Sequence, residues 1–137
     1  MYPGLLFFRS KLAKSLLQYR FDRLDGARLK ALSYSPPFSG MKITSRFQNS
    51  RLTFLINHIN MIFYLGTMFP WESAFSGEET CPVWAATGLR EIHISADVSF
   101  AVWQYWLMQK DTEWLSNVGY EILVGVAGLY LSLSPFN

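Results

Sequence analysis

Apolar residues recur at helical spacing in some stretches of this chain and not in others. Between Ser10 and Tyr34, Leu12, Leu16, Leu17 and Tyr19 fall at helical spacing, with Lys11, Lys14 and Gln18 between them. A second phase follows, with Leu24, Ala27, Ala31 and Leu32 inward and Arg23, Arg28 and Lys30 outward. This predicts helix over 10–34, with Ser10 as N-cap. Gly26 weakens it by about 1 kcal/mol relative to Ala. "SPPFSG" at 35–40 stops it, because proline lacks the N–H and restricts the residue before it. Residues 95–110 carry the clearest stripe, Val98, Ala101, Val102, Tyr105 and Trp106, with Ser95 or Asp97 as cap. "KDTEW" at 110–114 breaks that helix and starts another with an acid in its first turn, as the helix dipole favours. The last helix runs over 113–133, interrupted or kinked near Gly119. The apolar run 52–65 fits helix and strand equally. Residues 67–92 read as loop, with two prolines, two glycines and two tryptophans. The predicted class is all-α.

Composition narrows the function. A chain of 137 residues makes one domain at most. Half of it is apolar and 17% is aromatic, which excludes disorder. Cys81 is the single cysteine, so a disulfide scaffold is excluded. With two histidines beside it, a four-ligand zinc site is excluded too, and no cofactor is expected. The net charge of +2 does not point to nucleic acid. Its distribution is lopsided: residues 1–51 hold 10 of the 12 Lys and Arg but 2 of the 10 acids. That pattern suggests two pieces of different function, or a piece of something larger. The start has a four-residue apolar run, Leu5 to Phe8, too short for a secretory signal. The runs 52–65 and 122–133 are shorter than the roughly 20 residues a membrane span needs, so no membrane partner is expected. No localisation follows, and a cytoplasmic one is compatible.

Candidate chemistry concentrates at 69–93, where Phe69, Trp71, Trp84, Glu72, Glu78, Glu79, Glu91 and His93 fall close together. Aromatics beside carboxylates suit sugar binding. A ring packs on the apolar face of a pyranose while acids accept its hydroxyls. A pair of carboxylates could also serve as general acid and base. The plain alternative is a buried tryptophan with solvated acids, including Glu78 and Glu79. His93 fits a substrate contact, an acid/base or a cap. Cys81 has no evident base partner, His58 has no assigned role, and the Lys/Arg set of 9–30 reads as a wet helix face.

The segment "TMFPWESAFSGEETCP" (67–82) resembles the central catalytic domain of glycoside hydrolase family 65, on its acid trehalase-like branch. The likeness extends to "MYPGLLFFRSKLAKSLLQYRFDRLDGARLKA" (1–31), similar to the family's "MYP…YR…RL…AR…A" segment. It also extends to "TGLREIHISADVSFAVWQYWLMQKDTEWL" (87–115), similar to its "E-x-HI" helix. The resemblance implies part of an (α/α)₆ barrel, with FPWES on a loop at the sugar-binding mouth. It implies hydrolysis of an α-glucoside such as glucosyl-galactosyl-hydroxylysine or trehalose. Carried over by residue, it assigns substrate binding to Phe69, Trp71, Glu72, Glu91 and His93.

Two departures qualify this. The family runs from the "AR…A" helix through a short turn into FPWES, whereas here 26 residues separate Gly40 from Thr67. The expected organisation is therefore barrel helices over 1–40, an insertion over 41–66, and the sugar-site loop with following helices over 67–137. In addition, the family's general acid and its upstream sugar clamp have no counterpart among these residues. The expectation is a carbohydrate-binding fragment inactive on its own, with a helical interaction protein or membrane-associated protein as the alternative.

Overall fold

The computed structural model describes residue 4 and residues 9–34 and 66–133. The expectations for 35–65, including the proline stop and the apolar run with His58, lie outside the described residues. Among the described residues the architecture is all-α, as the pattern predicts, with no strand beyond one isolated bridge between Ser73 and Glu79.

Helix α1 spans Ser10–Phe21, and the position before it is Arg9, with no side-chain cap. Ser10 is therefore the first helical residue, not the expected cap. The buried stripe is Ala13 and Leu17, while Leu12 and Leu16 stay 52% and 48% exposed. Leu17 is thus buried as expected, while the small Ala13 takes the inward place expected of Leu12 and Leu16. Helix α2 spans Leu24–Tyr34, so the expected single helix is broken at Asp22 and Arg23. The cause lies in Arg23. Its guanidinium donates to Tyr19 O at 3.2 Å, and its backbone N–H turns to Arg20 O at 3.2 Å.

After a single 3₁₀ turn at Val83–Ala85 and the short α3 (Thr87–Arg90), helix α4 spans His93–Gln109. It starts two residues before the predicted 95. Neither Ser95 nor Asp97 caps it, and Ser95 is fully buried. Lys110 ends α4 in the left-handed conformation at φ 52°, its N–H donating to Trp106 O at 2.8 Å. Asp111 then caps α5 (Thr112–Trp114) by accepting from Trp114 N at 3.1 Å. The same carboxylate pairs with Lys14 of α1 at 2.8 Å. Helix α5 passes through one π turn, Leu115–Gly119, into α6, Tyr120–Ser132. The expected interruption near Gly119 is this wide turn. A Cβ on Gly119 would lie 2.9 Å from Leu115 Cδ1 and from Val102 Cγ1, so a larger residue would have to push these side chains aside where α4 approaches.

The resulting rod, Thr112–Ser132, is 21 residues long. By length and composition it could cross a membrane, which the 12-residue apolar run alone could not. One face of it is core: Ile122 and Val126 pack with Leu17, Leu24, Val98 and Val102 of the other helices. A smaller cluster joins Leu129 to Ala31 and Met68.

The first part of the expected loop is buried. Residues 66–70 have no regular secondary structure and are all buried, with Thr67 and Met68 at 0% and Phe69 at 1% exposure. A buried main chain needs a partner for each N–H. Thr67 N donates to Gly125 O of α6 at 2.8 Å, and Met68 N to Ala27 O of α2 at 3.0 Å. Phe69 N donates to Ser95 Oγ of α4 at 2.9 Å, and Pro70 has no N–H to satisfy. Three helices thus hold three successive residues, and the chain leaves this tunnel at Trp71.

Candidate functional site

Beyond Pro70 the chain forms a tight loop. Thr80 N donates to Glu72 O at 3.0 Å, and Gly77, at φ 82°, permits the reversal. The polar end of α1 grips this loop. Tyr19 Oη donates to Ala74 O at 2.6 Å, and Arg20 Nη1 to Ser73 Oγ at 3.1 Å. Arg23 donates twice to Phe75 O, at 3.1 and 2.6 Å. Of the basic residues expected to form a wet face, Arg20 and Arg23 are therefore engaged within the chain, whereas Arg9 and Lys11 stay exposed. Arg28 pairs with Glu121 at 2.8 Å and Lys30 with Glu79 at 2.5 Å. Burial pulls the Arg20 guanidinium below its ordinary pKa.

A groove of about 660 Å³ lies between α1, this loop and the start of α4. Trp71, Phe75, Arg20 and Asp97 line it. The half-buried Trp71 sets its ring edge-on to His93, with centroids 5.5 Å apart. His93 stands between two carboxylates: Nδ1 is 3.1 Å from Glu91 Oε2, and Nε2 is 4.0 Å from Asp97 Oδ2. The arrangement offers an aromatic face, a cation and a carboxylate around one opening, a set suited to a polyhydroxylated ring.

The structure brings together Trp71, Glu91 and His93 of the expected site residues. Glu72 is exposed beside Trp71, and Glu78 is exposed further along the loop. Phe69 is core, packed under the Arg20 guanidinium at 5.7 Å, so it supports the loop from below and offers no face to a sugar. Sequence reasoning missed Arg20, Asp97 and Phe75. The sequence pattern makes Asp97 and Ser95 look like caps, and the signal for Arg20 is its place in the Tyr19–Arg20 pair of the family pattern. Cys81 Sγ lies 2.6 Å from Thr87 Oγ1, a hydroxyl and not a base. Among the described residues no three His, Cys, Asp or Glu side chains converge to hold a metal ion.

Glu79, expected to be solvated, is the most heavily bonded carboxylate among the described residues. Oε2 accepts from Trp71 N at 2.8 Å and from Lys30 Nζ. Oε1 accepts from Glu72 N at 3.0 Å and Cys81 N at 3.2 Å. Burial pushes this carboxyl up, but the Lys30 ammonium and the three backbone N–H groups outweigh it and hold the pKa below its ordinary value.

Residues 46–137 match the glycosyl hydrolase family 65 central catalytic domain, which is more than half of the chain. The chain belongs to glycosyl hydrolase family 65. Its relatives in the family include the kojibiose hydrolase of Flavobacterium johnsoniae, 39% identical over 132 residues. The protein-glucosylgalactosylhydroxylysine glucosidase of Dictyostelium discoideum is 40% identical over 133 residues. The kojibiose phosphorylase of Thermoanaerobacter brockii is 32% identical over 142 residues. Each match covers 96% of this chain and 15% of the relative, so the chain spans about 15% of the length of these family 65 proteins.

Proposed function

We propose that the chain forms one wall of the glucose pocket in an (α/α)₆ barrel that hydrolyses an α-glucoside. The substrate would be glucosyl-galactosyl-hydroxylysine or a related α-glucoside such as trehalose. The observation carrying this reading is Trp71, held by Glu79 from behind and by His93 at its edge, on the rim of a groove that also holds Arg20 and Asp97. In the organisation we propose, 1–40 and 67–137 belong to the barrel. Inverting hydrolysis needs two carboxyl groups about 6.5–9.5 Å apart on opposite faces of the sugar. Among the described residues, Asp97 is the one carboxylate lining the groove. We therefore read the chain as binding without turnover.

Two measurements test this. Titration with kojibiose or trehalose should shift the Trp71 indole resonance, and Trp71→Ala should weaken binding about tenfold or more, as for a truncated aromatic anchor. The same chain should release no glucose from kojibiose, trehalose or glucosylgalactosyl-hydroxylysine, with or without phosphate. Turnover abolished by Glu72→Gln would reverse the second statement. A helical interaction protein is the second reading, and it rests on the outer face of α4. There Phe100 and Trp103 pair at 5.5 Å yet stay 54% and 49% exposed. An unresponsive Trp71 would favour that reading.

A further inference from the structure

We infer that Glu79 is the positioning residue that presents Trp71 and Glu72 to the sugar, an inference that rests on the sugar-binding reading of the groove. Trp71 follows directly on the buried segment and Glu72 comes next, where the chain has left the helices that hold 67–69. Neither backbone N–H finds a helix. Both find Glu79 instead, at 2.8 and 3.0 Å, and Cys81 N closes the far side at 3.2 Å. One carboxylate thus fixes both ends of the loop that carries the aromatic face.

The placement of Glu79 is itself built. The bridge between Ser73 and Glu79 brings position 79 back beside 71–72. Lys30, from α2, supplies the countercharge. Gly88 leaves the room, because a Cβ there would lie 2.8 Å from Glu79 Cδ. Both carboxylate oxygens carry two donors each, and a glutamine cannot reproduce this. In either orientation its NH₂ would face two donors. The charged groups near the loop are Lys30 from α2, Arg20 and Arg23 bonded to Ser73 and Phe75, the exposed Glu72 and Glu78 of the loop itself, and Glu91, His93 and Asp97 beside Trp71.

The test uses the full chain with kojibiose as probe and reads two quantities. The first, independent of sugar, is hydrogen exchange at the Trp71, Glu72 and Cys81 amides. The second is kojibiose affinity as a function of pH. In Glu79→Gln all three amides should lose protection together while the helical signal is kept. Affinity should fall about tenfold or more, the scale of losing a charge-assisted bond from a partly buried site. In the native chain, affinity should fall with acid as Glu79 protonates, and Glu79→Gln should remove that component. Lys30→Met, a milder change, should move the acid limb to higher pH, and Gly88→Ala should loosen the same three amides. Unchanged amide protection in Glu79→Gln overturns the inference. So does loosening of the amides with kojibiose affinity unaltered, which would make Glu79 a structural clip alone. If the amides loosen as expected but native Trp71 answers to no α-glucoside, the sugar-binding reading has failed and the positioning role falls with it.

Discussion

Gly66→Ala is expected to destabilise the fold by about 4 kcal/mol or more, at the severe end of single substitutions. Gly66 sits at φ 80°, which side chains rarely adopt. A Cβ there would run into Leu129 N and Gly125 O and lie 2.6 Å from Gly128 C, all main-chain atoms of α6. Backbone cannot step aside as a flexible side chain can. The buried segment would have to lift, giving up the bonds from Thr67 to Gly125 and from Met68 to Ala27. Urea unfolding followed by circular dichroism measures the loss. The paired control is Gly26→Ala. Gly26 is exposed within α2, and nothing lies within 4 Å of the added methyl. It should stabilise by about 0.5–1 kcal/mol. Equal effects at the two glycines would show that the close approach to α6 is not what position 66 demands.

Trp114→Ala should cost about 3–5 kcal/mol, the range for removing a large aromatic from a core. Trp114 is 5% exposed and stands edge-on to Tyr105, with centroids 4.6 Å apart. It lies at the junction of α1, α4 and the π turn, where Gly119 already permits the closest approach. Its Nε1 is buried without a hydrogen-bond partner. Trp114→Phe should therefore be milder than size alone suggests, since it deletes an unsatisfied donor along with the second ring. The same urea series reads both. A Phe variant as damaged as the Ala variant would mean that the indole N–H has a partner after all.

The all-α class, the helix at 95–110 and the break near Gly119 were all legible in the pattern, because core-facing helices must repeat their apolar residues every three or four positions. Helix α1 was legible as a helix but not in its phase. Ala13 and Leu12 are both apolar, and nothing in the spacing says which one faces inward. The tunnel at 66–70 was not legible. Its partners are a serine hydroxyl on α4 and helix carbonyls of Ala27 and Gly125, and neither kind carries a periodic signature. Ser95 looks like a cap and Glu79 like a wet acid until the chain is folded. The family-like pattern carried more than periodicity did. Tyr19, Arg20 and Arg23 hold the loop, Ala27 accepts from Met68, and Arg28 reaches Glu121. Phe69 was legible as part of the motif but not as core, since a motif does not say which of its residues point inward.

The tunnel also sets an order of events in folding. Its acceptors sit at Ala27, Ser95 and Gly125, far apart in the chain, and none is in place until α2, α4 and α6 have docked. The segment's bonds therefore form late, because docking of the helices closes the longer loops and only then are all three acceptors in place. The helices can associate through Leu17, Val98 and Ile122 before the segment threads between them. Refolding followed at Trp114, inside that helical core, should therefore run ahead of refolding followed at Trp71. The rim of the groove takes shape last, on a frame already built.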